Sequence, residues 1–143
     1  MTFNIAREIQ KSVFGKLTGD VPLMALVTGV FDFVPQAQAY PFIHIGEMNF
    51  NKTTSKGSDG ISTRIYDATL QVDIWHRPNP IGKGKLWDLI NEVRRILDGN
   101  RTWTPTEYCL LVFDEDLSTV IVEPDTVTYH GVIRFKIILG GRE

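Results

Sequence analysis

The sequence predicts an α+β domain: an antiparallel sheet of four to five strands with helices packed on one face. Three observations carry this. Residues 64–77 alternate with period two, setting Tyr66, Ala68, Leu70, Val72 and Ile74 against Asp67, Thr69, Gln71 and Asp73. Residues 127–139 do the same, with Val127, Tyr129, Ile133, Phe135, Ile137 and Leu139 opposed to Thr128, His130, Arg134 and Lys136. Residues 83–97 instead repeat at helical spacing, with Leu86, Leu89, Ile90, Val93, Ile96 and Leu97 on one face.

The remaining elements follow in chain order. Residues 2–17 form an amphipathic helix whose stripe is Ile5, Ala6, Ile9, Val13, Phe14 and Leu17. Asp20 caps a short second helix that opens with Val21 and Pro22 and stops at Gly29. Residues 30–34 are a first strand ended by Pro35, and 40–46 a second entered through Pro41. Residues 49–62 are almost without apolar side chains and read as a long mobile arm between two strands, too long for a hairpin turn. Pro78, Pro80 and Gly82 end the strand at 64–77, and Gly99 stands where a helix-terminating glycine belongs. Residues 100–107 are an irregular connection, and 108–113 are apolar on both faces, as a central strand would be. Asp114, Glu115 and Asp116 then form either a hairpin turn or a bulge in one bent strand that resumes at 119–123.

No repeat or linker divides the 143 residues, which read as a single domain spanning 1–143. A net charge of −2 argues against sequence-independent nucleic-acid binding, which needs a basic surface. Cys109 is the one cysteine, so no internal disulfide forms, and its apolar setting marks it as a small buried hydrophobe. No apolar run approaches a membrane span and no signal-peptide core opens the chain, so a cytosol-like compartment is expected.

Candidate chemistry is thin. His44, His76 and His130 lie on three different strands, none with a second ligand at a zinc-like spacing, and no metal or other cofactor is expected. Cys109 lacks an electropositive neighbour that would make it a nucleophile. Gly82-Lys83-Gly84-Lys85 opens a helix like a phosphate-binding turn but lacks the Walker spacing, and reads as a solvated helix entry. The triplet 114–116 lacks the calcium-loop pattern and reads as a solvated turn. Asp67 and Asp73 share a strand face about 20 Å apart, too far to act on one bond. The polar faces carry a different signal. Ile65 and Trp75 sit among the acids of one strand, and Val132 and Ile138 beside Arg134 and Lys136 of another. Either a second subunit or a loop of the same chain covers them.

Four stretches in order carry a resemblance: the first helix with 21–29 (Val-Pro-Leu-Met-Ala-Leu-Val-Thr-Gly), then 40–47 (Tyr-Pro-Phe-Ile-His-Ile-Gly-Glu), 70–77 (Leu-Gln-Val-Asp-Ile-Trp-His-Arg) with its helix, and 129–136 (Tyr-His-Gly-Val-Ile-Arg-Phe-Lys). Over nearly its whole length the chain resembles the small tail-completion or tail-terminator proteins of long-tailed, siphovirus-type bacteriophages and phage-derived gene transfer agents. Asn79-Pro80 and the acidic triplet depart from that pattern.

The resemblance implies a non-enzymatic structural protein of the virion or gene-transfer-agent particle, assembled in the bacterial host cytoplasm. It implies a ring, usually of six copies, at the head-proximal end of the tail, which ends polymerisation of the major tail tube protein and joins the head connector or stopper. DNA passes through the lumen without specific binding. Rings need two different patches per subunit. The arm residues Asn51, Lys52, Lys56 and Asp59 are candidates for one. The strand residues Ile65, Asp67, Asp73, Trp75, Val132 and Arg134 are candidates for the other. A small-ligand or enzymatic α+β domain is the alternative, and a nucleic-acid adaptor using Lys52, Lys56, Lys83 and Lys85 is a third.

Overall fold

The computed structural model describes residues 4–56, 62–79, 81–99 and 108–141. Its elements are α1 (Ile5–Thr18), α2 (Val21–Met24), β1 (Val30–Phe31), β2 (Phe42–Lys56), β3 (Ser62–His76), α3 (Gly84–Leu97), β4 (Tyr108–Val122) and β5 (Tyr129–Gly141). Five strands form one sheet in the order β1-β2-β3-β5-β4. β1 runs parallel to β2, and every other pairing is antiparallel.

The α+β prediction holds, and the alternation on β3 and β5 explains it. Leu70, Val72 and Ile74 lie in register with Phe135, Ile133 and Gly131, so one face of the sheet is continuous hydrocarbon. Ile9, Val13 and Leu17 of α1, Leu23 of α2, and Leu86, Leu89, Ile90, Val93 and Leu97 of α3 seal that face. Gly131 sets how closely α3 approaches, since a Cβ there would stand 3.2 Å from Leu86 and 3.3 Å from Ile90. Asp20 caps α2 as the sequence predicts, accepting from the Leu23 amide, while Asn4, expected within the first helix, instead caps it by accepting from the Arg7 amide. Arg95 reaches back to Asp20 at 2.8 Å, joining α3 to the start of α2. Gly99 adopts φ +68°, the left-handed conformation a glycine tolerates, and donates its amide to the Phe113 carbonyl at 2.7 Å.

Three boundaries differ from expectation, each for a visible reason. β1 ends at Phe31 rather than at 34, because His44 takes the Asp32 carbonyl and the chain turns away. The stretch read as an arm over 49–62 is largely ribbon: β2 and β3 stay paired out to Lys56 opposite Ser62. Polar side chains do not prevent strand pairing when both strands supply a ladder, and a bulge between Ile45 and Met48 resets the register beforehand. β5 begins at Tyr129, not at 127, because the Asp125 carboxylate accepts from the amides of Val127 and Thr128 and holds them in a turn. Val127 is consequently 48% exposed instead of inward.

The acidic triplet resolves as a bulge within one continuous β4, with the register shifting between Glu115 and Leu117. Its members part company. Glu115 turns to the helix side, where the Arg94 guanidinium grips it with two nitrogens, and the Asp98 carboxylate accepts from the Glu115 amide at 2.7 Å. The Arg94 hydrogen bond holds the Glu115 carboxyl below the usual carboxylate range despite partial burial. Asp114 and Asp116 remain exposed. At the other end of α3, His76 is 7% exposed with no partner for its Nδ1 among the described residues, and burial plus the Lys85 charge push its pKa down.

Candidate subunit-contact face

The side of the sheet away from the helices is built by the alternate residues of the same strands. Cross-strand partners share a face, so the register puts His44 beside Asp73, Asp73 beside Val132, and Trp75 beside His130. It also puts Ile121 beside His130 and Leu117 beside Arg134.

At the centre lies Asp73, 6% exposed and engaged through both oxygens. His130 Nε2 donates to Oδ1 at 2.7 Å, and the Gln71 carboxamide donates to the same oxygen at 2.9 Å. His44 Nδ1 stands 3.4 Å from Oδ2, while its Nε2 donates to the Asp32 carbonyl at 3.0 Å. On the far side, His130 Nδ1 lies 3.4 Å from Glu123 and its ring stacks on Trp75, centroids 3.9 Å apart. Burial alone would raise the Asp73 pKa. The His130 and Gln71 hydrogen bonds, helped by the fields of the two histidines, outweigh it and hold the carboxyl below its usual range. Gly46 makes room for this arrangement, since a Cβ there would fall 2.5 Å from Asp73 Oδ2.

Around the network the face is partly covered and partly open. The β1–β2 connection covers one end, with Tyr40 packed on Phe42 and Arg77 over the Tyr40 ring at 4.8 Å. The rest is open: Leu117 is 45% and Ile121 46% exposed. Two shallow hollows cross it. One of about 180 Å³ is lined by Glu47, Gln71, Asp116 and Arg134, and one of about 250 Å³ by Asn51, Asp67, Asp116 and Lys136. Asn49 and Thr69 line both.

The profile of the family described as tail completion protein gp17 matches residues 11–140. The chain belongs to the tail completion protein gp17 family. It is by family a structural, tail-completion protein. Its fold is shared with a chain from the structure titled "Virion of native gene transfer agent (GTA) particle", at 14% identity and a TM-score of 0.78, covering 98% of this chain and 100% of that one. It is also shared with the gp17 protein of bacteriophage SPP1, at 23% identity and a TM-score of 0.61, covering 94% and 91%. No curated protein matches significantly.

In this gp17-family chain, Asp73, Trp75, Val132 and Arg134 come together around the central network, Arg134 through a 3.0 Å hydrogen bond to Gln71. Asn51 and Asp67 pair across β2 and β3 and line one hollow. Ile65 lies further out along β3, in register with Gly140. Lys52 and Lys56 are on β2, their side chains outside the described residues, as is Asp59 altogether. Cys109 lies on β4, its side chain likewise outside them. Leu117 and Ile121 were missed by sequence reasoning. The alternation after the triplet was present, but the bulge hid which side it served. Among the described residues, no group of His, Cys, Asp or Glu is placed to hold a metal ion, and no helix is long and apolar enough to cross a membrane.

Proposed function

We propose that this protein forms a ring, of six copies, that caps the finished tail tube. The ring halts addition of the major tail tube protein and offers a docking surface to the head connector at the head-proximal end. DNA passes through its lumen without specific binding, and the ring assembles in the bacterial cytoplasm. The observation that carries this reading is the asymmetry of the sheet. One face is sealed by three helices, while the other leaves Leu117 and Ile121 open beside charged hollows. Such a mixed face suits a subunit contact, and specific interfaces bury more than about 1,000 Å² in total.

Catalysis is not part of the proposal. The His44–Asp73–His130 group has a catalytic composition, yet both carboxylate oxygens are engaged within the chain, and neither hollow on this face is lined by any of the three. We read it as a brace for the sheet.

The test is twofold. Purified protein should contain a ring-sized species by light scattering, and particles made without the gene should carry abnormally long, headless tails. Deleting residues 52–59 tests the ribbon separately: the monomer should stay soluble while tails run long. Tails of normal length without the gene would refute the capping role.

A further inference from the structure

Two charged features of the chain have no partner among the described residues. The first is the pair of hollows on the open sheet face, where the carboxylates of Glu47, Asp67 and Asp116 make no ion pair or hydrogen bond among the described residues. Two cations lie nearby: Arg134, whose hydrogen bond to the neutral Gln71 leaves its charge in place, and Lys136, which faces Asp114 across the β4–β5 register. Against them stand the four acids Glu47, Asp67, Asp114 and Asp116. The groove therefore keeps an excess of negative charge. At about 180 and 250 Å³ its hollows are below the roughly 300–1,000 Å³ of small-molecule sites and suit single long side chains.

The second is the first turn of α3. It has no side-chain cap, and its first backbone bond is donated by Trp87, leaving the amides of Gly84, Lys85 and Leu86 without acceptors among the described residues. Lys83 and Lys85 are exposed there without an acidic partner among the described residues. Trp87, 42% exposed, and Ile81, 72% exposed, flank them.

These features cannot meet in one chain. α3 packs on the face that carries Gly131, and its start lies at the Gly131 end of the sheet, while its C-terminal end meets Phe113. The groove is on the opposite face. Charge complementarity between two different patches of one chain is what a heterologous, head-to-tail contact requires. Each patch also has an apolar shoulder: Trp87 and Ile81 beside the lysines, Leu117 beside the groove.

We infer that the open-face groove of one copy receives Lys83 and Lys85, at the start of α3, from the next copy, and that this contact propagates the ring. The inference rests on the ring reading above. It also gives a role to two features that the sequence alone reads as plain solvated surface, the Gly-Lys-Gly-Lys turn and the acidic bulge.

Charge reversal tests it. The double variant Lys83→Glu/Lys85→Glu should lose the ring-sized species by light scattering, and so should Asp67→Lys/Asp116→Lys. Mixed in equal amounts, the two variants should regain it, because each then offers the other an opposite charge and an even-numbered ring closes by alternation. Independently, Lys85→Cys and Asp116→Cys in a Cys109→Ser background should cross-link only when mixed. Wild-type assembly that neither reversal disturbs, or a mixture that stays apart and fails to cross-link, overturns this contact and leaves the ring reading standing. A wild-type chain that remains monomeric with mature tails overturns the ring reading itself. Intact rings from both reversals, with lost joining to heads, assign the groove to another protein and overturn the contact.

Discussion

Replacing Gly46 by alanine tests the central network through a single methyl group. Without a clash, alanine in a strand interior should stabilise by about 0.5–1 kcal/mol, because glycine loses more backbone entropy on folding. Here the new Cβ would stand 2.5 Å from Asp73 Oδ2, well inside contact distance, so the carboxylate must swing away. Asp73 is 6% exposed and bonded to His130 at 2.7 Å and to Gln71 at 2.9 Å. Hydrogen bonds to a charged group contribute about 1.5–3 kcal/mol, and breaking a buried charged pair costs about 3–5 kcal/mol. The clash therefore wins, and Gly46→Ala should destabilise by about 2–4 kcal/mol. At roughly 3 °C per kcal/mol for a domain of this size, the melting temperature should fall by about 6–12 °C. Circular dichroism on heating measures it. The Gln71 carbonyl, 3.0 Å from the same Cβ, adds a smaller strain that is present whatever residue occupies position 73. A cycle with Asp73→Ala isolates the carboxylate: the coupling should be about 2 kcal/mol. A Gly46→Ala protein melting at or above wild type would refute the reasoning.

Three other outcomes follow. Asp73 has a folded pKa below its unfolded value of about 3.9, so its contribution is fully present above that value and is lost as pH falls through the folded one. Asp73→Asn should flatten the acid limb of a stability-versus-pH curve below about pH 4, measured by urea unfolding; an unchanged limb would count against the assignment. Glu115→Ala should cost about 1–2 kcal/mol, since it leaves the half-exposed Arg94 without its carboxylate and the bulge without its anchor. Leu117→Asp and Ile121→Asp should leave melting within about 2 °C of wild type, as expected for exposed positions, while reducing the ring-sized species on light scattering.

Much of the fold was legible because period is a strong signal. The alternation of 64–77 and the helical stripe of 83–97 correspond to β3 and α3 within a residue or two at most ends, and Asp20 caps α2 as its position suggests. What was hidden depends on contacts distant in sequence. The polar residues from Asn49 onward carry no apolar period, yet pairing with β3 makes them strand. The acidic triplet could not be assigned locally because Glu115 is decided by Arg94, which lies 21 positions earlier. The histidines looked unrelated in sequence. Only the strand order brings His44 and His130 to either side of Asp73. Gly46 did offer a clue, since a lone glycine within a strand often marks a bulge or a close approach, and here it marks both.

The network also explains how one face of the sheet can stay open and still be firm. The helix layer holds this sheet from one side only, and a surface that must receive another subunit cannot be buried under its own chain. Polar contacts across the strands, two of them hydrogen bonds and two of them histidine–carboxylate approaches at 3.4 Å, add a constraint from the open side. The Asp32 carbonyl just after β1, His44 on β2, Asp73 on β3, His130 on β5 and Glu123 just after β4 form a line that crosses the sheet in its spatial order. Each link fixes two neighbouring strands in register while leaving Leu117, Ile121 and the adjoining hollows accessible. If that is its role, loosening the line should blur the contact face before it unfolds the domain. His130→Ala would then raise amide exchange along β4 and β5 and weaken assembly at temperatures where the helix layer, anchored by α1 and α3, is still protected. Uniform loss of protection across helices and sheet alike would instead make the network an ordinary part of global stability.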